Sequence, residues 1–349
     1  MNYFETDEFS PAEKFFIKAI NELGDHSKGK AIVDESTHIN EESTENSESL
    51  VTYNERICND TTVPRDPLYT PFFSESYNYL GIIWSNRSDF HRALTFLCRS
   101  EDIYKFYKES LDTHVKEKVG QRMENSFTLT AFYLAQVFGH FKDEIQSTNY
   151  CYLTLKRQLD SGLEFNKLEW AENCLDMTEV FSEQKDYKSA IHFIKSAEYI
   201  VSKNGITTDR EKEVLAKVCK AKGKYYSDKL EYCKNWIEQN EPERIQHGCI
   251  LGPIPESNRQ PVLIEKTNKE LPTLYFDNVP IEHNETESYV ARTFEEAREL
   301  FREGKKAYET SLEYYVIDGF VSDHIAILQE LSALYRNLIF FEENLDRKL

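Results

Sequence analysis

Apolar and aromatic side chains recur at the spacing i, i+3, i+4 and i+7 along residues 72–240. This period places them on one face of an α-helix, and proline is absent from the whole stretch. The pattern therefore predicts a long series of amphipathic helices. For Arg210–Gln239 it leaves two alternatives, one long helix or a fourth helical hairpin, because no turn can be placed there.

The residues before this series, 1–70, are predicted as a polar, partly disordered segment with one or two short helices. The clearer helix lies near Pro11–Leu23, and the second would lie around Leu50–Cys58. Between them Ser, Thr, Glu, Asp and Asn dominate, and such a composition buries too little apolar surface to fold on its own.

Residues 241–290 hold six of the ten prolines and are predicted as a linker or long loop. The reason is that proline removes a backbone donor and stops a helix. A short extended segment is expected at Thr273–Phe276. Two long helices are then predicted, at Phe294–Ile317 and Ser322–Lys348.

Self-comparison shows a repeat in the helical series. Three segments carry the tetratricopeptide (TPR) pattern, in which a small and then a large residue on one helix precede a small residue on the next. The small residues should let two antiparallel helices approach closely, and the large ones should fill the space between neighbouring hairpins. The positions, segment by segment, are Gly81, Trp84 and Ala93; Ala135, Phe138 and Ser147; and Thr178, Phe181 and Ala190.

The repeat sets the predicted fold class. The second-helix positions lie 54 and 43 residues apart, against about 34 in a regular TPR, so the helices are longer or better separated. One hairpin has too little core to stand alone, so stacking is obligatory. We predict an all-α fold: a TPR-like, right-handed helical-hairpin solenoid over residues 71–240, a proline-rich linker over 241–290, and the start of a second helical subdomain over 291–349.

The chain carries a formal net charge of −19, from 61 acidic and 42 basic side chains. Such a surface repels phosphate backbones and anionic lipid, so neither nucleic acid nor a membrane is expected as a partner. It suits a protein partner with a basic face; alternatively, the acidity serves only solubility. The seven cysteines are irregularly spaced and no run of about 18 apolar residues exists, which predicts reduced thiols and no membrane insertion.

No catalytic or cofactor motif is present in the sequence. It lacks the glycine-rich phosphate loops, the H-E-x-x-H zinc motif and the G-x-S-x-G nucleophile elbow. We therefore predict a non-enzymatic protein with no cofactor, metal or small-molecule substrate; a helical enzyme is the disfavoured alternative. The inner-face positions of the three segments hold no Lys or Arg, so a clamp for a free carboxylate is not expected.

The inner helix faces contain the residues that we predict to contact a partner. We predict that these side chains line a concave groove and touch a protein partner; the alternative for each is an ordinary exposed helix residue. They are Asn78, Ser85, Phe132, Gln136, His140, Glu172 and Glu179.

Several stretches of the chain are similar to the KIF-binding protein family, whose members inhibit kinesin motors. The similar stretches include Tyr79–Ser85, Tyr133–Phe138, Phe294–Phe301 and Ile317–Ile325. The resemblance implies a TPR-like fold and a cytoplasmic, cytoskeleton-associated protein. It also implies that the chain engages kinesin motor domains and blocks their microtubule binding, thereby regulating microtubule-based transport and axon or cytoskeleton organisation.

The chain departs from that family at both ends. Its N-terminal segment is shorter and more polar than the family's first helices, and the family continues beyond the position of Leu349. We therefore expect an N-terminal part, a short isoform or an incomplete copy of a longer protein. The alternative function is a generic TPR scaffold or adaptor in a chaperone or transport complex, without specificity for kinesins.

Overall fold

The computed structural model describes residues 9–25, 62–160, 165–203, 205–246, 250–269, 272–282 and 284–342. Over these residues the chain forms ten α-helices and only two short two-stranded ladders, so the all-α prediction is confirmed. The chain divides into two compact units, Met1–Leu163 and Glu164–Leu349. The division falls inside the range 71–240 that the sequence assigns to one solenoid.

The described residues of the first unit form five helices and one short ladder. Strand β1 pairs antiparallel with β2, Gly24 opposite Pro64. The bounds are α1 (Phe9–Leu23), β1 (Gly24–Asp25), β2 (Val63–Pro64), α2 (Thr70–Asn86), α3 (Phe90–Ser110), α4 (Thr113–His140) and α5 (Glu144–Asp160). Helix α1 confirms the helix predicted near Pro11–Leu23, whereas the second predicted helix, Leu50–Cys58, lies outside the described residues.

Within the described part of the second unit there are likewise five helices and one short ladder. Its elements are α6 (Lys167–Glu183), α7 (Tyr187–Ser202), α8 (Asp209–Asn240), β3 (Ile245–Gln246), β4 (Ile250–Leu251), α9 (Phe294–Tyr314) and α10 (Val321–Phe341). Helix α8 is continuous, so the first alternative for Arg210–Gln239 is correct. The helix predicted at Phe294–Ile317 ends three residues early, and α10 begins one residue before the predicted Ser322.

Three of the hairpin turns share one geometry. Ser88, Lys142 and Lys185 adopt the left-handed region, with φ of 62°, 58° and 60°. An aspartate follows each of them, and its carboxylate accepts a hydrogen bond from the backbone N–H three residues later. Its own backbone N–H donates to the carbonyl of the large residue of the repeat, Trp84, Phe138 or Phe181. The turn thus fixes the second helix relative to that residue.

Small residues allow the paired helices to touch. A Cβ added to Gly81 would lie 2.6 Å from Cγ of Leu97, so α2 and α3 meet there at backbone distance. In the next hairpin, the hydroxyl of Ser147 donates to the carbonyl of Ala135 at 3.0 Å. These contacts confirm the role that the repeat predicts for small residues.

The large residues occupy two kinds of place. Trp84 packs, partly buried, in a cluster with Leu97 of α3 and Leu134 of α4, which joins the first two hairpins. Phe138 belongs to the same cluster and stacks on Tyr150 within its own hairpin. The prediction that these rings fill space between neighbouring hairpins is therefore confirmed directly for Trp84.

The segment 241–290 is a long loop that packs on the helices of the second unit. The backbone N–H of Leu274 donates to the Ser189 hydroxyl at 2.9 Å, and that of Phe276 donates to Nε2 of His192 at 2.7 Å. Phe276 is buried against Trp170. Of the two alternatives, linker or long loop, these contacts favour the loop.

A buried charge cluster anchors this loop. The carboxylate of Glu241 binds the guanidinium of Arg244 at 2.5 Å and also that of Arg292, and all three side chains are about 5% exposed or less. The two guanidiniums also donate to the carbonyls of Gly252, Asn258, Gln260 and Arg292. One carboxylate therefore bridges two cations and offsets one of their two charges, and the two guanidiniums hold both ends of the loop.

Replacing Glu241 with Gln should destabilise the protein by about 3–5 kcal/mol, because it leaves two buried guanidiniums without their counter-ion. Chemical denaturation measures the loss. Glu243→Gln, an exposed position two residues away, should change stability by less than about 0.5 kcal/mol. Equal effects at the two positions would contradict a stabilising role for the charge cluster.

A second close approach joins α8 and α9. A Cβ added to Gly223 would lie 2.6 Å from the ring of Tyr308, which is fully buried. Gly223→Ala should therefore cost about 1–3 kcal/mol, since the ring has no room to move. Gly319→Ala serves as the control because nothing lies within 4 Å of its added Cβ. Thermal unfolding that ranks the two variants in the opposite order would be inconsistent with this contact.

Candidate protein-binding groove

A groove of about 780 Å³ opens in the second unit, between α6 and α8 and beside the turn that joins α9 to α10. Helix α6 contributes one wall and α8 the other. Glu179, which the repeat assigns to the inner face of α6, lines the groove, and so do Leu175 and Ser182 of the same helix. The sequence therefore predicts the face of α6 correctly.

The α6 wall presents a row of carboxylates. Asp176, Glu179 and Glu183 follow at intervals of three and four residues, so they share one helix face. None of the three forms an ion pair or hydrogen bond with any described residue. Desolvation, followed by repulsion from Glu179 and Glu172, raises the pKa of Asp176. Attraction from Lys217 offsets only part of this effect, so a cation entering the groove would relieve the remaining repulsion.

The α8 wall carries lysines that are already neutralised. Lys217, Lys220 and Lys224 line the groove, each with a carboxylate between 2.7 and 3.4 Å from its Nζ. Their partners are, in that order, Glu172, Asp323 and Asp228. The expectation of no Lys or Arg at the inner-face positions holds for α6. The lysines of the groove come from α8, which carries no repeat signal that would orient it, and from Lys185 in the turn after α6.

Aromatic side chains form the apolar part of the groove. Tyr225, Tyr232 and Trp236 project from α8, and Tyr315 lies at the end of α9. Burial raises the pKa of Tyr315 to about 12, so its hydroxyl stays neutral. The sequence places Tyr225, Tyr232 and Trp236 at helical spacing, a signal that indicates a shared face but not that the face is open.

The two predicted contacts in the second unit differ in their surroundings. Glu179 is exposed and lines the groove. Glu172 is half-buried and binds Arg210 at 2.8 Å and Lys217 at 2.7 Å. Glu172 therefore holds the α8 wall in place, and its charge is not available to a partner without breaking those bonds.

The other five predicted contacts belong to the first unit. Phe132, Gln136 and His140 are exposed at intervals of four residues on α4, and Phe132 retains 39% of its surface. Ser85 on α2 is half-buried. The structure therefore leaves four of the five accessible.

Asn78, the fifth, is fully buried, so its prediction as a partner contact is wrong. Its amide donates to the carbonyl and hydroxyl oxygens of Ser126 at 2.9 and 3.0 Å, and its oxygen accepts from Thr130 at 2.8 Å. Ser74 and Ser100 complete a buried cluster of hydroxyl groups between α2, α3 and α4. A polar side chain is kept inside because every one of its hydrogen-bonding groups finds a partner there.

Asn78→Ala should destabilise the protein by about 1–3 kcal/mol, because Ser126 and Thr130 each lose a buried hydrogen bond to the amide, although the one between Thr130 and the Ser126 carbonyl remains. Thermal unfolding measures this loss. Asn86→Ala, at the exposed end of the same helix, is the matched control and should shift stability by less than about 0.5 kcal/mol. An unchanged melting temperature for Asn78→Ala would refute the assignment of a structural role.

The described side chains of the groove do not form a set of metal ligands. Over the described ranges, no cluster of three or more His, Cys, Asp or Glu side chains has the arrangement of a metal site. Among those same residues, none of the helices combines the length and the apolar character needed to cross a bilayer.

Comparison with known proteins identifies the family. The family model described as "KIF-1 binding protein C terminal" matches residues 168–349, which include the groove and the 241–290 loop. The KIF-binding protein of Xenopus tropicalis is 27% identical over 315 residues, covering 79% of this chain and 50% of that protein. The human protein is 27% identical over 306 residues, covering 78% and 49%.

A more distant relative and a solved structure agree with this match. The KIF-binding protein of Drosophila melanogaster is 22% identical, covering 79% of this chain and 51% of its own length. The solved structure of a kinesin binding protein superposes with a TM-score of 0.51 at 22% identity, covering 97% of this chain and 60% of that one, which supports the same helical fold. The chain spans about half the length of the curated relatives that it matches. Because the family model covers more than half of the sequence, the chain belongs to the KIF-1 binding protein family.

Proposed function

We propose that this chain binds kinesin motor domains through the groove of the second unit and thereby blocks their attachment to microtubules, without catalysis. Two observations support the proposal. The relatives are named for binding KIF motors. The groove presents the row of unpaired carboxylates Asp176, Glu179 and Glu183, and this row is the observation that carries the argument.

Charge complementarity links the groove to the proposed partner. A motor surface that grips the acidic microtubule must itself be basic, and the chain carries a net charge of −19. In the groove the α8 lysines are paired, so the excess field comes from the acidic row on α6. Such complementarity accelerates encounter and selects the partner more than it sets the final affinity.

The groove suits an amphipathic helix as its occupant. An α-helix with its side chains is about 10–12 Å wide, and helix-in-groove binding uses an apolar face on one side and polar contacts at the rim. Tyr232 and Trp236 would receive the apolar face. Asp176 and Glu179 would receive lysine or arginine side chains, and a cation there would lower the raised pKa of Asp176.

Inhibition would follow from occlusion alone. A helix held in the groove cannot also lie on a microtubule, so no bond is made or broken and no cofactor is needed. Ser85, Phe132, Gln136 and His140 of the first unit are proposed as additional contacts with the same motor. The consequence would be regulation of microtubule-based transport, and of axon or cytoskeleton organisation, by a cytoplasmic protein associated with the cytoskeleton.

The groove argues against a generic adaptor that captures free carboxylate tails. A carboxylate clamp requires lysine or arginine side chains whose charge is available to the ligand. Of the four lysines that line the groove, the three on α8 are already bound to Glu172, Asp323 and Asp228. Only Lys185, two residues after Glu183, has no ion pair with a described residue, and one lysine does not make a clamp. An acidic tail would also meet the carboxylates of α6, so the groove selects a basic segment over an acidic one.

Reversing two charges of the acidic row, with Asp176→Lys and Glu179→Lys together, should weaken motor binding about tenfold or more at low salt. The cause is repulsion of a basic partner by two new cations in the groove. Titration calorimetry with a purified motor domain measures the affinity, and raising the salt to about 0.3 M should shrink the difference because exposed charges are screened.

A matched control separates the groove from bulk charge. Glu238→Lys with Glu243→Lys changes the net charge by the same amount at exposed positions that do not line the groove. This pair should leave affinity within about twofold of wild type. Equal losses for the two pairs would attribute binding to overall charge and would count against the groove.

A further inference from the structure

Residues 272–282 of the long loop, which we term the strap, contain no helix or strand and lie against α7. Leu274 and Phe276 of the strap are buried, whereas Tyr275 between them is half-buried. An extended backbone turns successive side chains to opposite sides in this way. At these three residues the strap is therefore extended and rests on the second unit with every other side chain.

An aromatic pocket receives the strap. The ring of Phe276 lies 5.1 Å from the ring of Trp170 on α6 and 4.7 Å from that of Phe193 on α7, measured between centroids. Burial of this apolar ring favours docking of the strap. Because none of the three rings titrates, this part of the attachment does not depend on pH.

Two backbone N–H groups of the strap donate to side chains of α7. The N–H of Leu274 donates to the Ser189 hydroxyl at 2.9 Å, and that hydroxyl donates to the Asp186 carboxylate at 2.8 Å. The N–H of Phe276 donates to Nε2 of His192 at 2.7 Å. His192 is only 2% exposed, so water cannot readily take over this bond. Of the two acceptors, the imidazole is the one that titrates.

The bond to His192 requires a neutral imidazole. A backbone N–H can only donate, so Nε2 must be the unprotonated nitrogen, whereas an imidazolium carries a proton on both nitrogens. A proton on Nε2 would set two N–H groups against each other in a buried site. An imidazole that reaches water takes up a proton near pH 6.5. The docked strap therefore excludes a proton that the released state binds, and acid favours release.

The carboxylates near His192 are each held by a lysine. Asp186, in the turn before α7, binds Lys266 of the loop at 2.7 Å. Glu287, farther along the loop, binds Lys195 of α7 at 2.7 Å. Because each negative charge has a positive partner, neither carboxylate is left to stabilise an imidazolium in the docked state.

The other titratable groups on the surrounding elements keep their charge between about pH 5 and 7. Burial raises the pKa of the Cys174 thiol on α6 and that of the Tyr275 hydroxyl on the strap, so both stay neutral. Burial lowers the pKa of Lys229 on α8 to about 8, so that this amine stays largely protonated. Asp277 and Glu282 of the strap are exposed. The imidazole is therefore the group whose protonation opposes docking in this range.

From these observations we propose that the strap is an acid-released cover on α6 and α7: it docks while His192 is neutral, and protonation of His192 releases it while the helices stay folded. Release uncovers the rings of Trp170 and Phe193, on the two helices of the hairpin whose α6 carries the acidic row. The device goes beyond the proposed motor binding and does not depend on it.

Hydrogen exchange of the 349-residue chain from about pH 7 to 5, resolved to single amides by mass spectrometry, tests the proposal. After correction for intrinsic exchange rates, protection of the Leu274 and Phe276 amides should fall by up to about tenfold per pH unit below about 6.5, since each release then takes up one proton. The amide of Val290, which donates to the Val262 carbonyl in the same loop, should keep its protection.

His192→Gln separates the hydrogen bond from the proton. The glutamine Oε1 can accept from the Phe276 N–H but does not titrate, so protection of the strap in this variant should not change with pH. Wild-type protection that stays constant from pH 7 to 5 overturns the proposal, whether or not the variant folds. An equal acid loss in His192→Gln overturns it too, and so does a parallel loss along α7, because the whole helix would then open.

Discussion

Two antiparallel helices can approach to backbone distance only where one of them carries a small side chain, and both units depend on this contact. Gly81 provides it against Leu97, and Gly223 provides it against the ring of Tyr308. The hairpin turns act with it, since a left-handed residue and an aspartate cap fix where the second helix starts. In the second unit this contact holds α8, one wall of the groove, against α9.

The helical period and the repeat were sufficient to predict most of the fold. They locate α6 and its groove face, including Glu179, because apolar residues recur there at the helical spacing. The prediction for Asn78 is wrong, because a polar residue on a helix is expected at the surface. Its buried partners, Ser126 and Thr130, lie about fifty residues away in the sequence, so the pattern cannot identify them. The period and the repeat also do not predict which face of α8 lines the groove, since its aromatic residues and paired lysines carry no repeat signal. The burial of Phe276 in the loop could not be predicted either, because proline content indicates only that the segment is not helical.

The second unit thus uses charge in two ways. Glu241 stabilises the loop by bridging Arg244 and Arg292 in the interior. Asp176 and Glu179 have no ion pair with a described residue at the groove, and a basic ligand would remove the repulsion that Lys217 leaves uncompensated. A buried charge such as that of Glu241 needs partners within the fold, whereas an exposed charge such as that of Glu179 can be left for a ligand. This difference distinguishes the structural cluster from the proposed binding surface.

Carboxyl footprinting with a carbodiimide, read by mass spectrometry with and without a bound kinesin motor domain, tests the central claim most directly. The account predicts that labelling of Asp176, Glu179 and Glu183 falls when the motor binds, while labelling of Glu238, exposed on α8 outside the groove, stays the same. A motor that binds while the three groove carboxylates are labelled as fully as in the free protein would contradict it.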